Sequence, residues 1–406
     1  MRKGRNIVLG ITASIAAYKG VEIARVLMKK GYRVRCVMTE SASRFITPLT
    51  FEAITGEKVV ATFWEESKVI NHISLAKWAD LVLVAPATAD FLAKISNGFA
   101  DTPLSALLLA TKAPILLAPA MNSGMYENSV TQANITRLKE RGIFFVGPAK
   151  GELACRTYGL GKMSDVKEIV LITEKLLSSQ CLRDIRVLVT AGPTREPIDP
   201  IRFISNRSSG KMGVSIALQA FKEGADVLLI HGKLSIRIPS LIRSVQIETA
   251  EELKGAILHS LNKKEWRPDI VIMTAAVCDL KPKNFSSEKI KKEKHLCSIE
   301  LSRTPDILKT MAEVKPEERP FIVGFAVETD KEKIKKEAKR KLFEKKLNMV
   351  VANLAEDAFE KETNTVWITT EEEEQLKSGY KRKVAEEIIK EIAKKYKEEK
   401  AKGINE

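Results

Sequence analysis

The chain has 406 residues, of which 44% are hydrophobic and 29% charged, and its formal net charge is +15. A chain of this length is too long for one ordinary hydrophobic core, so two domains are expected. The composition excludes a disordered or fibrous chain. No apolar run approaches the roughly 20 residues of a membrane span, and polar residues interrupt the N-terminal apolar stretch too early for a signal peptide.

The positive charge is spread evenly along the chain, with +8 in residues 1–182 and +7 in residues 183–406. Lysine runs are mostly interleaved with glutamate, which is typical of solvated helix faces. A nucleic-acid partner is therefore disfavoured, and small anionic ligands fit the charge better. The five cysteines are scattered without a C-x-x-C pair, which argues against structural zinc and favours a reducing, cytoplasmic compartment.

Strand and helix patterns alternate in the first half, which predicts a parallel sheet covered on both faces. The predicted strands are Asn6–Ile11, Arg33–Met38, Asp80–Ala85, Ile115–Ala118 and Ile143–Val146. The predicted helices are Ala16–Lys30, Pro103–Thr111, Gln132–Arg141 and Val166–Leu177. A polar stretch at Ser178–Gln180 predicts a linker, so the domains are placed at residues 1–182 and 183–406.

The same alternation restarts after the linker and predicts a second doubly wound, Rossmann-like α/β domain. Its predicted strands are Arg186–Thr190, Asp226–His231, Asp269–Ala275, Phe321–Phe325 and Asn348–Val351. Its predicted helices are Val214–Glu223, Lys333–Lys346 and Lys383–Lys395, the last with an apolar stripe at Val384, Ile388, Ile392 and Tyr396.

Small hydroxylic residues follow three predicted strands of the first half, in segments 10–14, 39–41 and 86–90. The first segment is not G-x-G-x-x-G, so a dinucleotide fingerprint is absent. Backbone N–H groups with the hydroxyls of Thr12 and Ser14 at a helix N-terminus would still suit one phosphate, and a plain helix N-cap is the alternative. Three such loops at one sheet edge favour a phosphorylated cofactor.

Three further residues of the first half could carry chemistry. Asn122 follows a predicted strand, where its amide could hold a carboxylate without a competing charge, or it could simply form a turn. His72, the only histidine of this half, is placed just before a strand and is either a general base or a structural residue. Cys155 precedes the glycine-rich Gly159–Met163 and is either a proton donor on a flap or a buried, inert thiol.

In the second half, Ser208, Ser209, Gly210 and Lys211 open a predicted helix. Met212 stands where a Walker motif has Ser or Thr, so a Walker ATPase is disfavoured, but the segment suits an anion at a helix N-terminus. Asp279 is expected to end a strand, and a basic stretch runs from Lys289 to Lys292. A cationic segment beside this carboxylate suits polyphosphate chemistry, with plain solvated surface as the alternative.

The first half resembles the homo-oligomeric flavin-containing cysteine decarboxylases, to which phosphopantothenoylcysteine decarboxylase belongs. The resemblance rests on segments 15–19, 71–75, 86–90, 119–125 and 159–163. It implies a flavodoxin-like domain in which FMN oxidises a cysteinyl group, carbon dioxide leaves and the product is reduced. His72 is then the base, Asn122 holds the carboxylate and Cys155 donates the proton. The implied FMN contacts are Gly10, Thr12, Ser14, Thr39, Ser41, Pro86, Ala87, Thr88 and Ala89.

Two departures from that family stand out. Arg156 occupies a position where the family commonly has glycine, and Thr12-Ala13-Ser14 replaces a more glycine-rich loop. Neither removes a functional group. The segment around Cys155 is where the resemblance transfers least directly.

The second half resembles the phosphopantothenate–cysteine ligase domain over essentially all of residues 183–400, including the long run from Gly192 to Gly213. The resemblance implies that CTP converts 4′-phosphopantothenate to an acyl-cytidylate, which the amine of cysteine attacks. Asn206 would act on this intermediate and Lys289 in its formation or aminolysis. The implied CTP contacts are Asp279, Lys289, Pro305, Asp306, Ile307, Leu308, Phe325, Lys341 and Lys345.

Together the two resemblances imply a bifunctional decarboxylase–ligase of coenzyme A synthesis. Mg²⁺ is expected with the triphosphate, and Asp279 is the nearest candidate ligand. Trimers of the first domain and dimers of the second would give a dodecamer. The sequence does not decide between CTP and ATP. The alternatives are a flavin oxidoreductase with a non-catalytic nucleotide-binding second domain, and a non-catalytic anion- or nucleic-acid-binding protein.

Overall fold

The structure is a computed structural model that describes residues 4–64, 71–291, 298–354, 356 and 361–402. Lys292, the end of the predicted basic stretch, and Cys297, one of the five cysteines, lie outside these residues. The chain divides into two compact units, Met1–Ser178 and Ser179–Glu406. Of the helices within the described ranges, none is long and apolar enough to cross a membrane.

The first unit contains a five-stranded sheet in which every pairing is parallel. Its strands are β1 (Asn6–Ile11), β2 (Arg33–Met38), β3 (Leu81–Ala87), β4 (Ile115–Pro119) and β5 (Phe144–Phe145). Their spatial order is β2-β1-β3-β4-β5, so the direction of winding reverses between β1 and β3. The doubly wound sheet predicted from the strand pattern is confirmed. Such sheets bind ligands outside the carboxyl ends of the strands at this reversal, the switch point.

Helices cover both faces of this sheet. They are α1 (Tyr18–Lys29), α2 (Pro48–Thr55), α3 (Asn71–Trp78), α4 (Ala89–Ser96), α5 (Pro103–Ala110), α6 (Ser123–Glu127), α7 (Ser129–Glu140) and α8 (Val166–Leu176). Leu9 and Leu83 belong to the core on one face, whereas Val8 and Val82 belong to the core on the other. A short antiparallel hairpin, β6 (Ala149–Glu152) and β7 (Tyr158–Lys162), stands apart from the sheet.

The second unit contains an eight-stranded sheet and two small ribbons. Its strands are β8 (Arg186–Ala191), β9 (Arg195–Pro197), β10 (Phe203–Ser205), β11 (Asp226–His231), β12 (Arg243–Gln246), β13 (Ile270–Met273), β14 (Leu280–Pro282), β15 (Leu301–Arg303), β16 (Phe321–Glu328), β17 (Met349–Leu354), β18 (Thr363–Thr369) and β19 (Glu374–Tyr380). The main sheet has the order β12-β11-β8-β13-β16-β17-β18-β19, and the ribbons pair β9 with β10 and β14 with β15. The switch point therefore lies between β8 and β13.

The helices of the second unit are α9 (Lys211–Lys222), α10 (Ala250–Asn262), α11 (Ile307–Ala312), α12 (Ile334–Glu344) and α13 (Lys381–Lys402). The predicted stripe of the last helix is confirmed, because Val384, Ile388, Ile392 and Tyr396 all lie in the core. The unit differs from prediction in several features, including the three that follow. Helix α9 begins at Lys211 rather than Val214, α10 was not foreseen, and β18 and β19 add antiparallel strands to the parallel sheet.

Helix α9 passes very close to the carboxyl end of β8. A Cβ atom on Gly213 would lie 2.3 Å from Thr274 Oγ1 and 2.9 Å from the carbonyl oxygen of Thr190. We expect Gly213→Ala to destabilise the second unit by about 1–3 kcal/mol, because the helix must move outward. Calorimetric unfolding of the full chain measures this change.

Gly255 in α10 is the matched control, since an added Cβ there meets nothing within 4 Å. Gly255→Ala should stabilise the same unit by up to about 1 kcal/mol through helix propensity. Equal unfolding temperatures for Gly213→Ala and the unmodified chain would contradict the close approach of α9.

Candidate active sites at the carboxyl edges of the two sheets

Three loops of the first unit are bonded to one another at the carboxyl edge of its sheet. Thr12 Oγ1, after β1, donates to the carbonyl of Pro86 at 2.8 Å and accepts from the backbone N–H of Thr88 at 3.1 Å. The N–H of Thr39, after β2, donates to the carbonyl of Ile11 at 3.0 Å. The predicted convergence of these loops is confirmed, and Gly10, Ala87 and Ala89 lie in or beside them.

Several hydroxyls of these loops already have structural partners. Thr12 is buried and makes the two bonds just described. Ser14 caps a short 3₁₀ helix by accepting from the N–H of Ala16, and Thr88 caps α4 by accepting from the N–H of Phe91. These side chains therefore hold the loops in place. The N–H groups left free at a helix start are then the natural anion donors of this edge.

Thr39 differs from the other hydroxyls. Its Oγ1 atom is buried and has no hydrogen-bond partner within the described part of the chain. A buried polar atom without a partner costs about 1–3 kcal/mol, so a ligand that supplies the missing bond fits this position. The neighbouring Ser41 is exposed. The edge therefore has the character of a site for a phosphorylated ligand.

Asn122 and Cys155, which lie 33 residues apart in the chain, meet at the end of β4. Asn122 Nδ2 donates to Cys155 Sγ at 3.2 Å, and Asn122 Oδ1 accepts from the N–H of Gly124 at 2.8 Å. Asn122 thus caps α6 and still presents its amide to the sulfur. Thr157 Oγ1 lies 3.0 Å from the same sulfur. Asn122, Cys155 and Thr157 are all exposed, so a ligand can reach them.

The β6–β7 hairpin carries Cys155 to this position. The N–H of Met121 donates to the carbonyl of Gly161 at 3.0 Å, and a Cβ atom on Gly161 would lie 2.3 Å from the carbonyl oxygen of Met121. Only glycine permits this approach. At the hairpin tip, Arg156 has a φ of 62°, the left-handed conformation that glycine adopts most easily. Arg156 therefore follows the backbone path expected of a glycine at this position.

His72 lies in the first turn of α3, so a helix separates it from the strand that it was expected to precede directly. Its ring packs edge-to-face against Phe63, with ring centroids 5.5 Å apart. Because α3 leads into β3, its first turn lies toward the carboxyl edge of the sheet. Between His72 and either Asn122 or Cys155, the described residues of this chain show no hydrogen bond or ring contact.

The environment of Cys155 favours its thiolate. Hydrogen bonds from the side chain and backbone of Thr157, followed by the bond from Asn122, lower the pKa of Cys155 below that of an ordinary cysteine. Burial instead raises the pKa of Cys36 to about 12. The two thiols of the first unit therefore differ strongly in reactivity.

We expect Cys155 to be alkylated by iodoacetamide at a lower pH than an ordinary cysteine, because its thiolate forms at lower pH. Thr157→Val removes the largest cause, so the midpoint of the alkylation-versus-pH curve should rise. Peptide mass spectrometry measures each thiol separately, and Cys36 serves as the unreactive control. An unshifted midpoint in Thr157→Val would show that Thr157 does not set the pKa.

In the second unit, Asp279 does not directly end a strand as expected. Strand β13 ends at Met273, and the residues from there to Asp279 form a segment that is hydrogen-bonded to neighbouring loops. Asn206 Nδ2 donates to the carbonyl of Val277 at 2.8 Å, and the N–H of Cys278 donates to Thr194 Oγ1 at 3.0 Å. Asn206, which follows β10, is thus bonded to the segment that ends at the exposed Asp279.

The segment 305–308, which supplies four of the implied CTP contacts, is the start of α11. Asp306 is its N-cap and accepts from the N–H of Lys309 at 3.0 Å, while Ile307 and Leu308 are helical. The N–H of Thr304, next to Pro305, donates to the carbonyl of Asp279 at 3.0 Å. These bonds place the start of α11 beside Asp279.

Lys341 and Lys345 lie one turn apart at the end of α12 and face carboxylates. Lys341 pairs with Glu328 at 3.2 Å, and Glu328 ends the strand that contains Phe325. Lys345 pairs with Asp306. Burial alone would raise the pKa of Asp306, but the bonds from Lys345 and the N–H of Lys309 lower it overall. Sequence reasoning did not identify Glu328, which a strand-end position could have indicated.

The predicted anion loop lies at the start of α9. Gly210 is the N-cap with a φ of 73°, and its N–H donates to Ser208 Oγ at 3.3 Å. Ser209 is half-buried beside it. The amine of Lys211 pairs with Glu362, which the sequence analysis did not single out. Within the described ranges, three or more His, Cys, Asp or Glu side chains never gather closely enough to hold a metal ion.

Comparison with known proteins identifies both units. Residues 1–178 match the Flavoprotein family, and residues 182–396 match the DNA/pantothenate metabolism flavoprotein C-terminal domain. The coenzyme A biosynthesis bifunctional protein CoaBC of Haemophilus influenzae is 42% identical, over 97% of this chain and 98% of that protein. The CoaBC protein of Bacillus subtilis is 40% identical, also over 97% and 98%.

A crystal structure of the C-terminal domain of a CoaBC protein is 38% identical, with a TM-score of 0.45, and covers 54% of this chain and 100% of that one. The relatives match along the whole chain, so a flavin oxidoreductase with an inert second domain is not favoured. The resemblance drawn from sequence is confirmed. The chain belongs to the family of bifunctional coenzyme A biosynthesis enzymes, in which a flavoprotein domain precedes a DNA/pantothenate metabolism flavoprotein C-terminal domain.

Proposed function

We propose that the second unit ligates 4′-phosphopantothenate to cysteine with CTP, and that the first unit then decarboxylates the 4′-phosphopantothenoylcysteine formed. The observation that carries this proposal is the match to bifunctional relatives over 97% of the chain. The bond between Asn122 and Cys155 supports the assignment of the decarboxylase site. One chain would thus make a substrate and consume it.

The cofactor of the first unit is FMN in this proposal. The Flavoprotein match supports a flavin, and the absence of a dinucleotide fingerprint favours the mononucleotide. The orphaned hydroxyl of Thr39 and the loops around Gly10 and Thr88 fit a phosphorylated ligand at the switch point. When bound, FMN supplies the reversible two-electron chemistry that makes loss of carbon dioxide from a cysteinyl group feasible.

Asn122 holds the departing carboxylate. Its Nδ2 group has two hydrogens, and Cys155 takes one of them, so the other remains for a substrate oxygen. A neutral donor suits this task, because the carboxylate must leave as uncharged carbon dioxide and a cation would stabilise its charged form. Cys155 is the proton donor that completes the reaction, because a lowered pKa makes its protonated thiol a stronger acid, and His72 is the base that begins it.

The ligase site uses positive charge instead. The start of α9 and the hydroxyls of Ser208 and Ser209 form an anion site. The ammonium groups of Lys341 and Lys345 can exchange their carboxylate partners for the oxygens of a triphosphate. In this proposal Asn206 acts on the acyl-cytidylate. Mg²⁺ would be held mainly by phosphate oxygens and water, with Asp279 as the protein ligand.

Oligomers complete the proposal. Phe203, Leu280 and Leu301, on the two ribbons beside the ligase site, are each 44–45% exposed, and exposed apolar patches mark association surfaces. A second copy of the chain is the proposed occupant, which makes the second unit a dimer. The first unit is proposed to be a trimer in which His72 serves the site of a neighbouring copy, since the described residues show no hydrogen bond or ring contact between His72 and Cys155. Together these contacts would build a dodecamer.

Asn122→Asp should reduce carbon dioxide release from 4′-phosphopantothenoylcysteine by at least about 100-fold, because it places a negative charge against the substrate carboxylate. A coupled assay with cysteine, 4′-phosphopantothenate and either CTP or ATP measures pyrophosphate and carbon dioxide in the same sample. Pyrophosphate release should persist, and CTP should be preferred.

The control for that variant is Asn128→Asp, which changes the N-cap of α7 at the opposite end of α6 from Asn122 and should leave carbon dioxide release unchanged. An Asn122→Asp chain that decarboxylates at the wild-type rate would remove Asn122 from the mechanism. Turnover of 4′-phosphopantothenoylcysteine without release of carbon dioxide would contradict the decarboxylase assignment itself.

Lys289→Gln should lower pyrophosphate release by about 100-fold while decarboxylation of supplied 4′-phosphopantothenoylcysteine continues, because a cation that stabilises developing phosphate charge is lost. Lys283→Gln makes the same change in the same loop, at a lysine paired on the surface with Glu300, and should have no effect. Equal ligase rates in the two variants would make Lys289 an ordinary surface residue.

A further inference from the structure

The carboxylate of Asp199 is fully covered and heavily bonded. The side chain has no exposed surface. Its Oδ1 atom accepts from the N–H groups of Ile201 and Arg202 at 2.9 and 2.8 Å. Its Oδ2 atom accepts from the Arg202 guanidinium and from the N–H of Ile290 at 3.2 Å. The Arg202 side chain, followed by these N–H groups, holds the pKa of Asp199 far below its usual range.

The bond to Ile290 connects Asp199 to a distant segment, residues 286–290, here called the strap. Three hydrogen bonds fasten the strap to the turn at residues 198–202. The N–H of Ser286 donates to the carbonyl of Ile198 at 3.1 Å, and Arg202 Nη2 donates to the carbonyl of Ile290 at 2.9 Å. The third is the bond from Ile290 to Asp199. Lys289 lies between these anchors, immediately before Ile290.

The strap belongs to the long connection between β14 and β15, in which residues 283–291 form no helix or strand. Because the connection lacks regular structure there, the three bonds are what give the backbone beside Lys289 a defined place. The same turn leads into β10 and then to Asn206. The turn at residues 198–202 therefore connects the backbone of Lys289 to the ribbon that carries Asn206.

We propose that Asp199 is a positioning residue for ligation: with Arg202 it forms a clasp that holds the strap, and so places Lys289 relative to Asn206. The inference rests on the proposed role of Lys289. An amine on a flexible stem stabilises developing charge only where its backbone is held, because a displacement of about 1 Å can cost about 100-fold in rate.

The two carboxylate oxygens of Asp199 bind different partners, since Oδ1 accepts from the turn and Oδ2 accepts from the Arg202 side chain and the strap. A substitution that changes only one of them therefore tests the clasp. In Asp199→Asn, the amide oxygen can take the place of Oδ1 and keep the bonds to Ile201 and Arg202. The amide NH₂ then takes the place of Oδ2 and faces only donors, from Arg202 and Ile290. This variant should therefore keep the turn and release the strap. Ile290→Pro removes one donor to the clasp and leaves the Asp199–Arg202 pair intact.

The experiment combines hydrogen exchange with ligase kinetics on the full chain. In Asp199→Asn and in Ile290→Pro, exchange at the N–H of Ser286 should be faster than in the unmodified chain. Pyrophosphate release should fall about 10-fold to 100-fold. Decarboxylation of supplied 4′-phosphopantothenoylcysteine should continue and reports that the chain is folded. Asp226→Asn, at the start of β11 and paired with Arg243, is the matched control and should change neither measurement.

A double-mutant cycle separates the clasp from other roles of Asp199. Adding Asp199→Asn to Lys289→Gln should cause little further loss of ligation, because Lys289 is then already absent. Full additivity, unchanged exchange at Ser286, or faster exchange with an unchanged ligase rate would each overturn the proposal. If Lys289→Gln alone keeps the wild-type rate, the proposed function of Lys289 fails, while hydrogen exchange still shows whether Asp199 holds the strap.

Discussion

A buried threonine hydroxyl joins the two loops on either side of the switch point in each sheet. In the first unit, Thr12 Oγ1 bonds both Pro86 and Thr88. In the second, Thr194 Oγ1 accepts from the N–H of Cys278. Both sheets are covered on both faces, and sheets of this kind bind ligands where their strands end. Loops at such an edge lack the backbone hydrogen bonds that join strands within a sheet. These bonds between loops therefore hold the backbone beneath both candidate sites in place.

The two units use charge differently at their candidate sites. The first places neutral groups, Asn122 and Thr157, around a sulfur and relies on hydrogen bonds to shift its pKa. The second places cations at the end of α12 but pairs them with carboxylates, as in Lys341 with Glu328 and Lys345 with Asp306. A carboxylate that must leave as a neutral molecule suits the first arrangement, and a polyphosphate that must be gripped and released suits the second.

Local patterns predicted most of the parallel strands and the loops that follow them, because buried strands and helix stripes leave a periodic signal. Helix α10 carried such a signal in Leu253, Ile257 and Leu261 and was nevertheless missed. The edge hairpin was harder to foresee, since β19 alternates exposed and half-buried residues and resembles polar loop sequence. Asp199 and Glu362 were missed because Ile290, which Asp199 holds, lies 91 residues away in the chain and Lys211, the partner of Glu362, lies 151 residues away.

The sequence by itself determined the class of fold, the family and the residue types at the candidate sites, since these depend on local periodicity and on motifs of neighbouring residues. The tertiary structure alone decided which of those residues meet. The contact of Asn122 with Cys155 depends on a hairpin that lies against Met121, and the place of Lys289 depends on bonds to a turn far away in sequence. Both follow from packing and from the need of buried polar atoms for partners, which no local pattern encodes.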